Sequence, residues 1–569
     1  MRILSLFIML TFLHITLLAE TFSMKSISAH ISEGLQTRVQ GVNKNIIKSI
    51  YAKRGNQALW IGREQVKQAS DLIQALNNPL FNYKNKDFDK ATISRLYYLL
   101  DNGEVSSSQK SAVYARLDLL LTSSMVRLVR FIVQGDVDWA LVQKKMKGLK
   151  ESDDIQSNWE MSPKGFPALS PLISAIHNGN IYGYLYSLLP MKKRYVKLIK
   201  LLNNYRVMNN FPNIPYSNSI LKVGNNAKRI TLVKQRLQLS GDYPKGASLN
   251  TQFTKTLKYA LLTYQKRFLL KATGRLDKTV TYYMNEPVST KIQAIITNLD
   301  KTKLYPSEFE KAHVEVNIPD FNLRYYKQGN SVYKTGVIVG RIDRPTPIFS
   351  DKIDYMVLNP TWTIPDNLIK RDLIPVLREN PQYLKENNIH AFSGKKEVEV
   401  SASMLSKYEN SKKRVPYRFV QYSGENNALG RVKFMFPNKY LVYLHDTDNK
   451  SLYSRRYKVY SSGCVRVEKP FDLLNILLRY SKGNYTQDFI AGILESNKPH
   501  SIRMRESIPV HILYFTVYEE NGLAYFRNDI YLYDKIIEES TASNRKMTFK
   551  VPEKRMVSIR PVRSKPMSN

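Results

Sequence analysis

The sequence predicts a multidomain α+β fold: an N-terminal helical scaffold, a small three-helix module, and a mainly-β sandwich carrying a partly helical capping insertion. Three observations predict it. A chain of 569 residues has the length of several domains. Apolar residues recur at three- and four-residue spacing up to about residue 290, then alternate with polar ones from about residue 312. A composition of 43% hydrophobic and 24% charged residues is that of globular protein rather than extensive disorder.

Residues 1–24 read as a signal peptide or membrane anchor. Met1-Arg2 precedes an apolar run from Ile3 to Ala19, broken only by Ser5, Thr11, His14 and Thr16. Ala19 is the candidate cleavage point, but Leu17 stands where a small residue is preferred. An uncleaved anchor is therefore the alternative, although the run is at the short limit for spanning a bilayer.

Residues 25–227 form the helical scaffold domain, with stripes such as Ile46-Ile47-x-x-Ile50-Tyr51 and the run from Ala112 to Ile132. Tyr51…Ala58-Leu59-Trp60 reads as a helix ending in a turn with a packed aromatic. In residues 228–290, Ile230-x-x-Val233-x-x-x-Leu237 stops at Ser240-Gly241. A longer stripe runs from Phe253 to Phe268, and Thr273-Gly274-Arg275-Leu276-Asp277 leads into a third short helix.

Residues 311–540 are the strand-rich domain. Strands are expected at 314–319, 321–326, 334–340, Tyr417–Tyr422, Val432–Phe436 and Tyr440–Leu444, and a hairpin turns at Glu519-Glu520-Asn521-Gly522. Residues 366–411 interrupt it with helical, charged sequence and are a candidate lid. Residues 541–569 are a basic tail, read as a solvated end or as an electrostatic anchor to an anionic surface. The net charge of +38 predicts attraction to polyanions: nucleic acid, anionic lipid or acidic wall polymer. An export signal and the lack of any motif that reads bases argue against nucleic acid.

Cys464 is the only cysteine, so its thiol has no internal disulfide partner. Composition alone would bury it as packing. Its neighbours, Ser461-Ser462-Gly463-Cys464-Val465-Arg466, suit a nucleophile better: small residues let the backbone turn, and Arg466 is available to a carboxylate. A cysteine nucleophile needs a base or a cation. His445 closes the expected strand 440–444 and opens the turn Asp446-Thr447-Asp448-Asn449, where it can meet the cysteine loop across adjacent strands. No H-E-x-x-H, cysteine pair or phosphate loop calls for a metal or cofactor.

His445-Asp446-Thr447…Ser461-Ser462-Gly463-Cys464-Val465-Arg466-Val467 resembles the signature of the L,D-transpeptidases with a YkuD-type catalytic domain. Asn359-Pro360-Thr361-Trp362-Thr363-Ile364-Pro365 and the segment Asn427 to Phe434 resemble motifs of its large YcbB-like subclass. Ala260, Tyr264-Gln265, Gly274-Arg275-Leu276-Asp277 and Thr279 resemble the peptidoglycan-binding type 1 domain. The resemblance implies a periplasmic, exported enzyme, tethered to the inner membrane if its N-terminal segment is retained. Its partners would be peptidoglycan stem peptides, a donor tetrapeptide and an acceptor stem.

By the same resemblance, Cys464 would cleave a diaminopimelate–D-alanine bond through a thioester and form 3→3 cross-links. His445 would be general base and acid, oriented by the backbone carbonyl of Asp446, with the Gly463 backbone N–H in the oxyanion hole. Arg466 suits a stem carboxylate or else a surface ion pair. Trp362 lines the stem channel or packs as a core aromatic. Ser461 and Ser462 are named as substrate-binding loop residues; Ser462 stands where many smaller members have histidine. Tyr440 and Tyr443 are read first as strand-face residues and second as substrate contacts. A carbapenem adduct on Cys464 is implied. The alternatives are an L,D-carboxypeptidase or wall-protein attachment on the same machinery, and a non-catalytic peptidoglycan-binding scaffold.

Overall fold

The computed structural model describes residues 23–61, 66–148 and 158–541. The expected signal or anchor before residue 23 and the tail from residue 542 lie outside the described residues. Among the described residues, no helix is long and apolar enough to cross a membrane.

The scaffold is built around the helix Ser107–Val133, which buries Leu117, Leu121, Met125, Leu128 and Ile132 at three- and four-residue spacing. That helix also buries Asp118. The carboxylate accepts hydrogen bonds from Tyr51 Oη (2.6 Å) and from the main-chain N–H groups of Leu59 (3.0 Å) and Trp60 (2.7 Å). Trp60 Nε1 donates to Thr122 Oγ1 at 2.9 Å. The aromatic turn expected at 51–60 is therefore pinned to the long helix by a buried polar node in which Asp118 and Thr122 take up its donors.

Helices Arg229–Leu239, Lys255–Arg267 and Lys278–Met284 form the small module around Ile230, Val233, Leu257, Leu261 and Leu276. Gln265 braces its turn: Oε1 accepts from Gly274 N–H at 2.8 Å, and Nε2 donates to Thr273 Oγ1 at 3.0 Å. Helix Val288–Thr302 then leads into the strand-rich domain.

The strands, in chain order, are β1 (Ala312–Asn317), β2 (Asn322–Lys327), β3 (Asn330–Gly340), β4 (Ser350–Leu358) and β5 (Trp362–Thr363). Next come β6 (Ile389–Ser393), β7 (Lys396–Val398), β8 (Arg418–Gln421), β9 (Val432–Met435) and β10 (Leu444–His445). The last are β11 (Val459–Ser461), β12 (Val465–Val467), β13 (His500–Leu513), β14 (Val517–Glu520) and β15 (Leu523–Phe526). Nine of them form one sheet in the order β11-β3-β12-β10-β9-β4-β13-β1-β2. The sheet folds back on itself. The first half of β3 pairs with β2 (Asn322↔Gly336), and its second half pairs with β12 (Ile338↔Arg466) and β11 (Val339↔Val459). Two layers thus share one strand around a core that includes Val316, Leu323, Val339, Met356, Phe434, Leu444 and Val465.

The capping insertion has its own four-stranded sheet, β5-β8-β6-β7, and its own core of Ile364, Ile369, Leu373, Ile374, Leu377, Leu405 and Phe419. Two sequence expectations change here. The strand expected at 417–422 forms at Arg418–Gln421 but pairs with β5 and β6 in the cap rather than joining the main sheet. The strand expected at 440–444 shrinks to Leu444–His445. Asn438 captures the preceding residues in a turn, its side chain donating to Phe436 O (2.6 Å) and Val442 O (2.7 Å), and Leu441 takes a φ of +55°.

The hairpin β14–β15 forms where expected, with Asn521 and Gly522 at φ +54° and +80°. Val517 and Ala524 are buried in the scaffold core, and Phe526 packs against both that core and the module. The fully buried Arg267 of the module pairs with Asp242 and donates to the main-chain oxygen of Ala524.

Candidate active site

The parallel pairing of β10 with β12 brings the expected residues together. Leu444 lies opposite Val465 and His445 opposite Arg466. Alternation sends Leu444, Val465 and Val467 into the core. The other face is left to Tyr443, His445, Cys464 and Arg466.

The Cys464 side chain is half-buried, and its Sγ lies 3.8 Å from Leu441 O. Tyr443 meets the thiol through both its main-chain N–H and its phenol. Burial pushes the thiol up to about 11, against the opposing pull of those hydrogen bonds and of Arg466 and Lys433. His445 is buried, with Nδ1 2.5 Å from Asp446 O. A carbonyl only accepts, so the proton is on Nδ1 and Nε2 is left as the free base. Burial first, then Arg466 and Lys433, lower His445 to about 3. At rest, the thiol and the imidazole on this face are both neutral.

Asp446 itself is clamped. Its N–H donates to Val432 O at 2.9 Å, and its carboxylate accepts from Arg431 N–H at 2.9 Å and pairs with Lys450. Gly430 makes this possible: it has a φ of +59°, and an added Cβ would collide with the Asp446 carboxyl. Gly430→Ala is therefore expected to displace Asp446 and, through it, His445. Thermal unfolding should show a loss of about 1–3 kcal/mol, accompanied by a fall in turnover larger than that instability explains.

The cysteine loop is braced from within and from the loop that follows β3. Gly463 has a φ of +116°, and its N–H donates to Ser461 Oγ at 3.2 Å, while Ser461 Oγ donates to Cys464 O at 2.5 Å. Thr346 Oγ1 donates to Gly463 O at 2.8 Å. Ser461 is thus buried and spends its hydroxyl inside the loop, whereas Ser462 is exposed and accepts from Arg344 Nη1 at 3.1 Å. Arg344 also holds Asp372 of the cap at 2.5 and 3.1 Å, tying the cap to this loop.

Trp362, on cap strand β5, packs against the cap's own core rather than the main one and comes within reach of the Tyr443 phenol. Tyr440 is turned elsewhere: its hydroxyl donates to Glu160 at 3.1 Å and its ring packs on Phe349 at 5.0 Å. Sequence reasoning passed over Lys433, which faces His445 in the β9–β10 register and lies 5.7 Å over the Tyr443 ring. It also passed over Arg344 and Thr346. Only the pairing of β9 and β3 with their neighbours brings these residues to the site. Among the described residues, no group of three or more His, Cys, Asp or Glu side chains could hold a metal ion.

Residues 311–486 match the YkuD family, the L,D-transpeptidase catalytic domain, and residues 45–202 match the Scaffold domain family. A Haemophilus influenzae protein assigned to the L,D-transpeptidases is 36% identical over 245 residues, 43% of this chain. The match spans about half, 49%, of that relative's length. A solved L,D-transpeptidase from Stackebrandtia nassauensis is 14% identical, covering 53% of this chain and 96% of its own, with a TM-score of 0.19. One from Xylanimonas cellulosilytica is 12% identical, covering 52% and 99%, with a TM-score of 0.17. At such scores the structural likenesses add no weight to the family match.

Proposed function

From an L,D-transpeptidase catalytic domain of the YkuD type at residues 311–486, set behind a scaffold domain at 45–202, we infer that the chain is a peptidoglycan L,D-transpeptidase with Cys464 as its nucleophile. One observation carries the assignment. The sole cysteine lies on the same sheet face as His445, whose Nδ1 is held by a backbone carbonyl so that Nε2 is left to take a proton.

His445 Nε2 takes the thiol proton as Sγ attacks the carbonyl of the diaminopimelate–D-alanine bond. The carbonyl oxygen becomes an oxyanion. The Gly463 N–H serves it by exchanging its long bond to Ser461 Oγ (3.2 Å) for the developing charge. Protonated His445 then gives its proton to the departing D-alanine amine, leaving a thioester on Cys464. The amine of an acceptor stem, deprotonated by His445, resolves the thioester and closes a 3→3 cross-link. Arg466 holds a stem carboxylate, and Trp362 and Tyr443 wall the channel beneath the cap. Keeping the site dry favours aminolysis over hydrolysis. A carbapenem, an activated acyl donor, would acylate the same sulfur. The module at 229–284 is assigned to holding wall polymer, and the exported, wall-facing location follows from the substrate.

The test incubates the purified chain with tetrapeptide muropeptides and reads the products by mass spectrometry. Cross-linked dimer with D-alanine release is expected. Tripeptide alone would replace transpeptidation with L,D-carboxypeptidase activity, and no turnover would overturn both.

A further inference from the structure

His445 sits in the middle of a transverse row. In register, Lys433 of β9 faces His445 of β10, and His445 faces Arg466 of β12. Side chains directly opposite on adjacent strands share a face and lie about 5 Å apart at Cβ. The row therefore reads cation, imidazole, cation, with Tyr443 and Cys464 one step along the same face. Its charge is poorly compensated from within the protein. Lys433 has no acidic partner among the described residues; the groups that feel its charge are the Cys464 thiol and the His445 imidazole. Arg466 reaches Thr447 Oγ1 at a long 3.4 Å, while its Nε is buried without a hydrogen-bond partner. Asp448 offsets Arg466 only from the exposed rim, and Asp446 is turned away toward Lys450 and the Arg431 N–H.

Like charges flanking one residue in a sheet row oppose folding unless an anion joins them. The neutral thiol–imidazole pair is no such anion. Burial holds Lys433 below the usual ammonium range, a cost that a bound carboxylate would reverse.

We propose that Lys433 and Arg466 form a two-cation subsite for the C-terminal carboxylate of the residue that leaves the donor stem. The inference rests on the transpeptidase reading above and says which end of the donor is selected. Leaving-group chemistry fixes the location. The amine that receives a proton from His445 Nε2 is separated from its own carboxylate by a single carbon atom. A carboxylate so close to the imidazole falls between the cations on either side of it. Guanidinium binds a carboxylate in a planar fork, and ammonium binds it as a point charge. The arrangement demands a free carboxylate one residue beyond the scissile bond, so it selects stems ending at that residue. Lys433 acts on substrate directly and is a specificity-determining residue.

The experiment compares kcat/KM for donor tetrapeptides ending in a free carboxylate or in a C-terminal amide, using wild type, Lys433→Gln and Lys433→Arg. Wild type should prefer the free acid by at least about tenfold. Lys433→Gln should shrink that preference severalfold, mainly through KM for the acid, while any change in kcat from losing its charge near Cys464 and His445 falls on both donors alike. Lys433→Arg should restore the preference. An unchanged acid-to-amide ratio in Lys433→Gln overturns the subsite. If that variant does not fold, wild type still decides: equal turnover of acid and amide overturns it. Failure of wild type to release D-alanine from the acid donor or D-alaninamide from the amide overturns the transpeptidase reading itself, and the subsite with it.

Discussion

Cys464→Ala is expected to abolish acyl transfer, lowering kcat by about 10⁴-fold or more, because no other group in the site can carry the covalent intermediate. Tyr443, His445 and Arg466 share its face, but a phenol held well above its ordinary range, an imidazole fixed for proton transfer and a guanidinium cannot replace a thiol. The check is intact mass: wild type mixed with donor should gain the mass of one acyl group, and the variant should gain nothing. The fold should survive. The side chain is half-buried and the loop is held by Ser461, Thr346 and Arg344 rather than by the sulfur. A variant that still cross-links would remove Cys464 from the chemistry. Retained wall binding with lost cross-linking would reject the idea of a non-catalytic scaffold.

His445→Ala is expected to lower turnover by about 10²–10⁴-fold, the usual range for losing a positioned acid–base group. The resting ionisation makes a second demand. With the thiol near 11 and the imidazole near 3, neither group titrates between those values in the free enzyme. The thiolate fraction below pH 11 therefore rises about tenfold per pH unit. Alkylation of Cys464 by iodoacetamide should rise throughout pH 6 to 10 without a plateau. A plateau from neutral pH upward would mean a preformed thiolate–imidazolium pair and a different first step. Removing His445 should leave the slope of the alkylation profile intact while turnover collapses, separating its role as proton carrier from any effect on thiol accessibility.

Local chemistry made part of the site readable. A lone cysteine after Ser-Ser-Gly and a histidine before a polar turn stand out as residue types in a pattern, and β10 and β12 bring both to one face. Pairing was not readable. Lys433 is twelve residues from its register partner His445, a separation that says nothing until β9 turns back antiparallel to β10. The segment 440–444 misled because its apolar alternation looks like a strand, whereas the Asn438 side chain takes the hydrogen bonds that a strand partner would have used. The segment 417–422 was recognisable as a strand but not as a cap strand, since alternation does not reveal which sheet will accept an edge. Ser461 shows the same limit at the scale of one side chain. Its hydroxyl looked available to substrate, and the loop's own Gly463 N–H and Cys464 carbonyl engage it.

The hairpin β14–β15 constrains how such a chain can be rearranged. Its Val517 and Ala524 side chains complete the scaffold core, while the Ala524 main-chain oxygen receives a fully buried arginine from the small module. A catalytic unit strung on flexible linkers can be cut out, duplicated or exchanged as a cassette. Here excision would uncover two hydrophobic cores and strand a buried cation, so the three bodies must be inherited, expressed and engineered as one piece. What would otherwise be a leash between the small module and the strand-rich domain becomes a fixed jig, whose reach is set by packing rather than by linker length.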